Sequence, residues 1–261
     1  MPRVTAQPTR SPRSWAAARP RARRRAARWQ LPPALALFLL LAALYVLTSG
    51  GHTYSYDEET IFGLTESLVE RGSIVVPTCA GCTIIHSEPA PGGRNYSRYG
   101  PLQSFVAVPF YVAGRAVAGE NDAARWFLTR FAADMMNPLV TAVTAALLYL
   151  LARWLGYRHG AALAAALAYG LGTQAWPHSK TFFSEPLTTF LLLGAVCCWW
   201  RLAVAAGARR AAWWAAGIGV CCGLAIATKY GAGIAVPVLA LAAAVALWGH
   251  WRAGRLALRG V

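Results

Sequence analysis

The chain reads as an all-α, polytopic helical membrane protein, and three observations carry that reading. Of its 261 residues, 57% are apolar and only 13% are charged. Several apolar runs approach or exceed the roughly 18–20 residues that a helix needs to cross a bilayer. Those runs are rich in alanine and leucine and lack the period-2 alternation of a membrane β-strand. Helices and closed barrels are the structures that satisfy every backbone group in lipid, so the pattern selects helices.

The first element is a basic tail. Residues 1–30 carry nine of the 25 basic residues and no acid, and they precede an apolar run. The formal charge of +15 does not by that layout point to nucleic acid, because basic residues flanking spans are ordinary orientation signals. The tail is arginine-rich and acid-free like an organelle transit peptide, and it precedes an apolar run like a long signal peptide. No small-residue cleavage site follows Leu47. Residues 1–30 are therefore expected to be a disordered cytoplasmic tail, and 33–49 an uncleaved signal-anchor.

Six further apolar runs follow, at about 102–118, 134–152, 160–176, 187–203, 212–228 and 231–249. If all seven crossed with the N-terminus inside, the connections 153–159, 201–211 and 250–261 would lie outside. They carry Arg153 and Arg158, then Arg201, Arg209 and Arg210, then Arg252, Arg255 and Arg259, with no acid. That would break the positive-inside tendency three times. The run LQSFVAVPFYVAGRAVA, 102–118, is marginal in length and contains Pro109, Gly114 and Arg115. Letting it lie on the outer membrane surface, or dip in and return, leaves about six spans and puts every basic connection inside. All ten acids then fall in outward stretches or at their edges, nine between Asp57 and Asp134 and the tenth at Glu185. The expected organisation is a transmembrane domain over 31–250, with a large first extracytoplasmic loop of about 50–132 carrying surface-lying helices. A basic cytoplasmic end follows at 251–261.

Four polar stretches face the outward side. In YDEET, residues 56–60, Asp57, Glu58 and Glu59 open a plausible amphipathic helix that ends near Gly72. Acids in a first turn complement the helix dipole, and a carboxylate at the membrane edge can also take a proton from an incoming hydroxyl or amine. In PHSKTFFSEPLTTF, 177–190, His178, Lys180 and Glu185 share a short loop. A lone glutamate beside lipid is costly unless it lines a cavity. In GLAIATKYGAG, 223–233, Lys229 interrupts an apolar stretch and precedes Tyr230 and Gly231; it either snorkels to the interface or offers a fixed charge to a phosphate. In NYSRYGPLQSF, 95–105, Arg98 stands between two tyrosines, and with Lys229 it could clamp a phosphate. Cys79 and Cys82 form a lone CxxC for which a disulfide is expected rather than a metal site, and Asn95-Tyr96-Ser97 fits a glycosylation sequon. No metal ligand set is assigned, and the residues neither require nor exclude a divalent metal.

The order of these stretches resembles the membrane glycosyltransferases of the GT-C class, which include the protein O-mannosyltransferases and the lipid A aminoarabinose transferases. The matching pieces are YDEE at 56–59, YSRYGPL at 96–102, SEPLTTFLLL at 184–193 and CCGLAIATKYGAGIAVPVLALA at 221–242. The resemblance implies an inverting transfer of a sugar from a polyprenyl phosphate to an extracytoplasmic lipid, glycan or protein. Under it, Asp57 is the catalytic acid and Glu58 the second acid of the pair. Arg98 and Lys229 bind the donor phosphate, with Glu185, Lys180, His178 and Tyr230 supporting the cavity. It also implies the plasma (inner) membrane, with the N-terminus cytoplasmic and the active side outside. Members of the class usually have about twice this length, so the chain is expected to correspond to an N-terminal half. The competing expectation is a non-enzymatic transporter or lipid-binding subunit. No internal repeat of the kind transporters show is evident between 33–152 and 160–249.

Overall fold

The computed structural model describes residues 31–76, 87–90 and 94–252. The tail 1–30, the Cys79–Cys82 pair and residues 253–261 lie outside the described residues. Among the described residues, ten α-helices run in chain order: α1 (Pro33–Thr48), α2 (Tyr56–Arg71), α3 (Leu102–Ala118), α4 (Asp122–Asp134), α5 (Met136–Trp154), α6 (His159–Gly172), α7 (Ala175–Ser179), α8 (Glu185–Ala203), α9 (Ala208–Thr228) and α10 (Ala235–Arg252). A short 3₁₀ turn, Tyr230–Ile234, joins the last two. The protein is an all-α polytopic membrane protein. A two-stranded antiparallel hairpin, β1 (Ser87–Ala90) with β2 (Arg94–Ser97), interrupts the helices within the first loop. That hairpin was not part of the sequence expectation, because neither strand alternates apolar and polar residues.

Among the described residues, four stretches are long and apolar enough to cross a membrane: Asp122–Trp154, Glu185–Ala203, Ala208–Thr228 and Tyr230–Arg252. α1 and α3 are shorter apolar helices. α6 spans 14 residues, about 21 Å at 1.5 Å per residue, less than a straight crossing of the hydrocarbon core.

Side-chain contacts fix the antiparallel order of the bundle. At one end the Tyr45 hydroxyl donates to Gly170 O at 2.8 Å, joining the C-terminal ends of α1 and α6. At the other, Tyr149 hydrogen-bonds the His159 ring at 2.9 Å, and His250 meets Leu202 O at 2.7 Å. The Arg201 guanidinium there lies over both Trp154 and Trp214, at 5.5 and 5.3 Å. The end that holds Arg153, Arg158, Arg201, Arg209, Arg210 and Arg252 is therefore opposite the end that holds Asp57 and Glu185.

Helices α2, α3 and α4 form a cap at the acidic end. Their shared core joins Ile61 and Phe62 to Ala107, Tyr111 and Ala133, and reaches Met136 at the start of α5 and Phe182 before α8. A Cβ on Gly114 would sit 2.3 Å from Leu128 O, so glycine is what lets α3 and α4 approach so closely. α3 packs on α2 and α4, and touches α9 near the cavity end. Arg115 in its last turn pairs with Glu70 of α2 at 3.1 Å.

Candidate active site

Ser55 caps α2: its hydroxyl accepts from Glu58 N at 3.3 Å. Glu58 answers by accepting from Ser55 Oγ at 3.0 Å and Tyr54 N at 3.4 Å, a reciprocal arrangement close to a capping box. Its other oxygen accepts from Phe182 N at 2.8 Å, 124 residues away. Glu58 is 0% exposed. Burial pushes its carboxyl upward, and the three hydrogen bonds oppose that shift. Successive helical residues point about 100° apart, so Asp57 and Glu58 cannot face the same space. Asp57 faces a cavity; Glu58 faces inward and ties α2 to the loop before α8.

That cavity has a volume of about 290 Å³ and brings together Asp57, Arg98, Glu185, Lys229 and Tyr230 from four separate parts of the chain. Tyr99 also lines it and hydrogen-bonds Asp57. Burial, then the Asp57 carboxylate, pushes the Tyr99 hydroxyl up to about 12, so Tyr99 remains a donor to Asp57 at neutral pH. The Arg98–Pro101 turn presses against the end of α9. A Cβ on Gly100 would lie 2.4 Å from Ala227 O and 2.5 Å from Thr228 O, a clash with backbone that glycine alone avoids.

Lys229 lies just past α9 in extended conformation, and its ammonium donates to Glu185 Oε1 at 2.5 Å. Both side chains are partly exposed, 48% and 34%. Glu185 Oε2 is buried and has no hydrogen-bond partner among the described residues. Glu185 is the first residue of α8, with Pro186 beside it in the first turn, where proline's missing N–H costs nothing.

The remaining residues singled out by sequence lie elsewhere. His178 lines a second cavity of about 370 Å³, which shares Glu185 with the first. The Lys180 ammonium sits 5.9 Å from the Trp176 ring, and Lys180 lines neither cavity. Among the described residues, no three His, Cys, Asp or Glu side chains converge in a metal-binding arrangement.

Sequence reading passed over the residues that hold the loop under the cavity. Asn137 Nδ2 donates to Thr181 O at 2.5 Å and Phe183 O at 2.8 Å. Gln103 Nε2 donates to Asn137 Oδ1 at 3.2 Å and Phe183 O at 3.3 Å. Both are 0% exposed. The available signal was an amide at the mouth of an apolar run, in LQS and in MNPL. Asp134 was also missed: both its carboxylate oxygens are buried without a hydrogen-bond partner among the described residues.

A family model described as dolichyl-phosphate-mannose-protein mannosyltransferase matches residues 119–258, a little over half of the chain. Glu185, Lys229 and Tyr230 fall inside the match, whereas Asp57 and Arg98 precede it. No curated protein and no solved structure matches the chain.

Proposed function

The chain belongs to the dolichyl-phosphate-mannose-protein mannosyltransferase family and is a membrane glycosyltransferase that uses a lipid-linked sugar; we propose that it moves a hexosyl group, mannose in the first instance, from a polyprenyl phosphate to an acceptor hydroxyl in the cavity at the acidic end. The observation that carries this reading is the convergence of Asp57, Arg98, Glu185 and Lys229 on one cavity.

The donor phosphate sits against Arg98 and Lys229. Glu185 pairs with the Lys229 ammonium; a bound phosphate competes for it. Asp57, oriented by the Tyr99 hydroxyl, accepts the proton of the acceptor as its oxygen attacks the anomeric carbon. The bond from that carbon to the phosphate oxygen breaks, the electron pair leaves with the phosphate, and the two cations stabilise the charge that develops there. Attack from the face opposite the leaving phosphate inverts the anomeric centre. The acceptor is a hydroxyl on a protein, lipid or glycan. Glu58, buried and committed to Phe182 N, acts by positioning the α2 start and not by touching substrate.

The charge layout supports an orientation as well. The all-basic end faces the cytoplasm and the cavity opens extracytoplasmically, with the chain in the plasma (inner) membrane crossing about six times and α3 lying at the surface.

The test is purified protein in lipid nanodiscs with polyprenyl-phosphate mannose and a hydroxyl acceptor. Release of polyprenyl phosphate that disappears in Asp57→Asn, with donor binding retained, is the expected result. Binding without turnover, equal in wild type and Asp57→Asn, would instead favour a lipid-binding subunit.

A further inference from the structure

Two cavities meet at Glu185, and their linings divide by chemistry. The first holds the cations Arg98 and Lys229. The second, about 370 Å³, lies between α5, α6, α7 and the start of α8, and no lysine or arginine lines it. Its wall is mostly apolar, and the polar groups set in it are neutral or anionic. The Gln174 amide and the His178 ring make no hydrogen bond among the described residues; His178 packs edge-on against Phe183 at 6.0 Å. The Thr141 and Thr173 hydroxyls donate to backbone carbonyls one turn back, which leaves the Thr141 oxygen as an acceptor, whereas the Thr173 oxygen also accepts from Ala175 N at 3.1 Å. Glu185 contributes to both cavities, with Oε1 on Lys229 and Oε2 without a partner among the described residues.

A cavity lined by no lysine or arginine among the described residues does not suit a phosphate, whereas polar side chains set in an apolar wall suit a sugar, whose ring edges are polar and whose faces are apolar. Vicinal hydroxyls, each both donor and acceptor, match it. A glycosyl phosphate has the same division, an anion joined through one carbon to a neutral polyol. We infer that the cavity lined by Gln174, His178 and Glu185 is the sugar subsite, and that Gln174 and His178 set which sugar is accepted. The Glu185–Lys229 pair stands at the threshold between sugar and phosphate, so Glu185 released from Lys229 by the incoming phosphate becomes an acceptor for a sugar hydroxyl. This rests on the phosphate assignment made above. The volume lies within the range of small-ligand pockets, ~300–1,000 Å³.

The experiment is equilibrium binding of two probes to the full chain in nanodiscs: polyprenyl phosphate, and the same lipid carrying mannose. Wild type is expected to bind the mannosylated lipid tighter by about tenfold, the worth of one or two hydrogen bonds. Gln174→Ala and His178→Ala should each reduce that increment and leave polyprenyl phosphate affinity unchanged. Gln174 is exposed, so its replacement leaves the fold intact. A glucosyl lipid, differing from the mannosyl lipid at one carbon, should be discriminated by wild type and not by the double variant. If both lipids bind equally in wild type, or the variants leave the increment intact, the sugar assignment falls while the phosphate site stands. If neither lipid binds, or Arg98→Ala and Lys229→Ala leave both affinities unchanged, the phosphate reading falls and takes this one with it.

Discussion

At the scale of single residues, neighbouring acids in YDEET have separate jobs because a helix turns 100° between them. Asp57 should control turnover and Glu58 stability. Glu58→Ala strands the Phe182 N–H in a buried site, a loss of about 1–3 kcal/mol, so its melting temperature in detergent should fall while that of Asp57→Asn stays near wild type. Lys229→Ala should lower donor turnover on the order of 10²-fold, the usual loss when one charged donor to a developing anion is removed. Lys229→Arg should recover part of it. Glu59 gives a pH signature. Burial alone would raise its carboxyl, but hydrogen bonds from Arg130, at 2.9 and 3.1 Å, and from Thr53 outweigh that and lower it. A lowered folded-state value stabilises above the unfolded carboxylate pKa of ~4.3 and is lost as pH falls through the folded value. Acid titration of the melting temperature should show a limb below that point, and Glu59→Gln should flatten it.

Elements matter through their ends. The cavity is built from the start of α2, the start of α8, the end of α9 and the turn before α3. None of these is long, yet each is locked by a contact distant in sequence: Glu58 to Phe182 N, Gln103 and Asn137 to Phe183 O, Gly100 against the last carbonyls of α9. Gly100→Ala forces those carbonyls apart and should cost about 1–3 kcal/mol as an overpacked contact. It should also weaken polyprenyl phosphate binding, because Arg98 rides on the displaced turn. A stability loss with unchanged binding would show that the turn does not position Arg98. Helix signals were largely legible in the sequence at this scale. DEETIFGLTESLVER with a following glycine announces α2, which ends at Arg71 with Gly72 in the left-handed conformation. The hairpin was not legible, since β1 and β2 take their strand form from pairing with each other and from the Val75–Tyr96 bridge.

For the whole molecule, the outer surface follows from lipid as solvent. Val238, Leu241, Val245 and Trp248 recur along α10, after Ile234 at the end of the 3₁₀ turn, and all are exposed, an apolar face that a bilayer covers without loss. The orientation can be read by labelling single cysteines at Glu120, Tyr157, Lys180 and Ala206 in a cysteine-free background. Positions 120 and 180 should react from outside the cell, and 157 and 206 only after permeabilisation. If 120 and 180 both report inside while 157 and 206 report outside, α3 crosses, and the surface-lying reading is gone.

By itself the sequence determined the helical membrane class, through apolar run length, and the segregation of basic from acidic ends, through charges that lipid will not hold. It also marked Asp57, Arg98, Glu185 and Lys229, because an ionisable group beside lipid stands out against an apolar background. Tertiary structure decided which of the marked residues share a cavity, since the turn of α2 sends Glu58 inward and the packing of α7 leaves Lys180 on Trp176. It alone placed Gln103 and Asn137, whose roles come from partners far along the chain, and it alone buried the Asp134 carboxylate. Composition and spacing record what a residue is, whereas burial and hydrogen-bond partners are set by contacts that no local pattern carries.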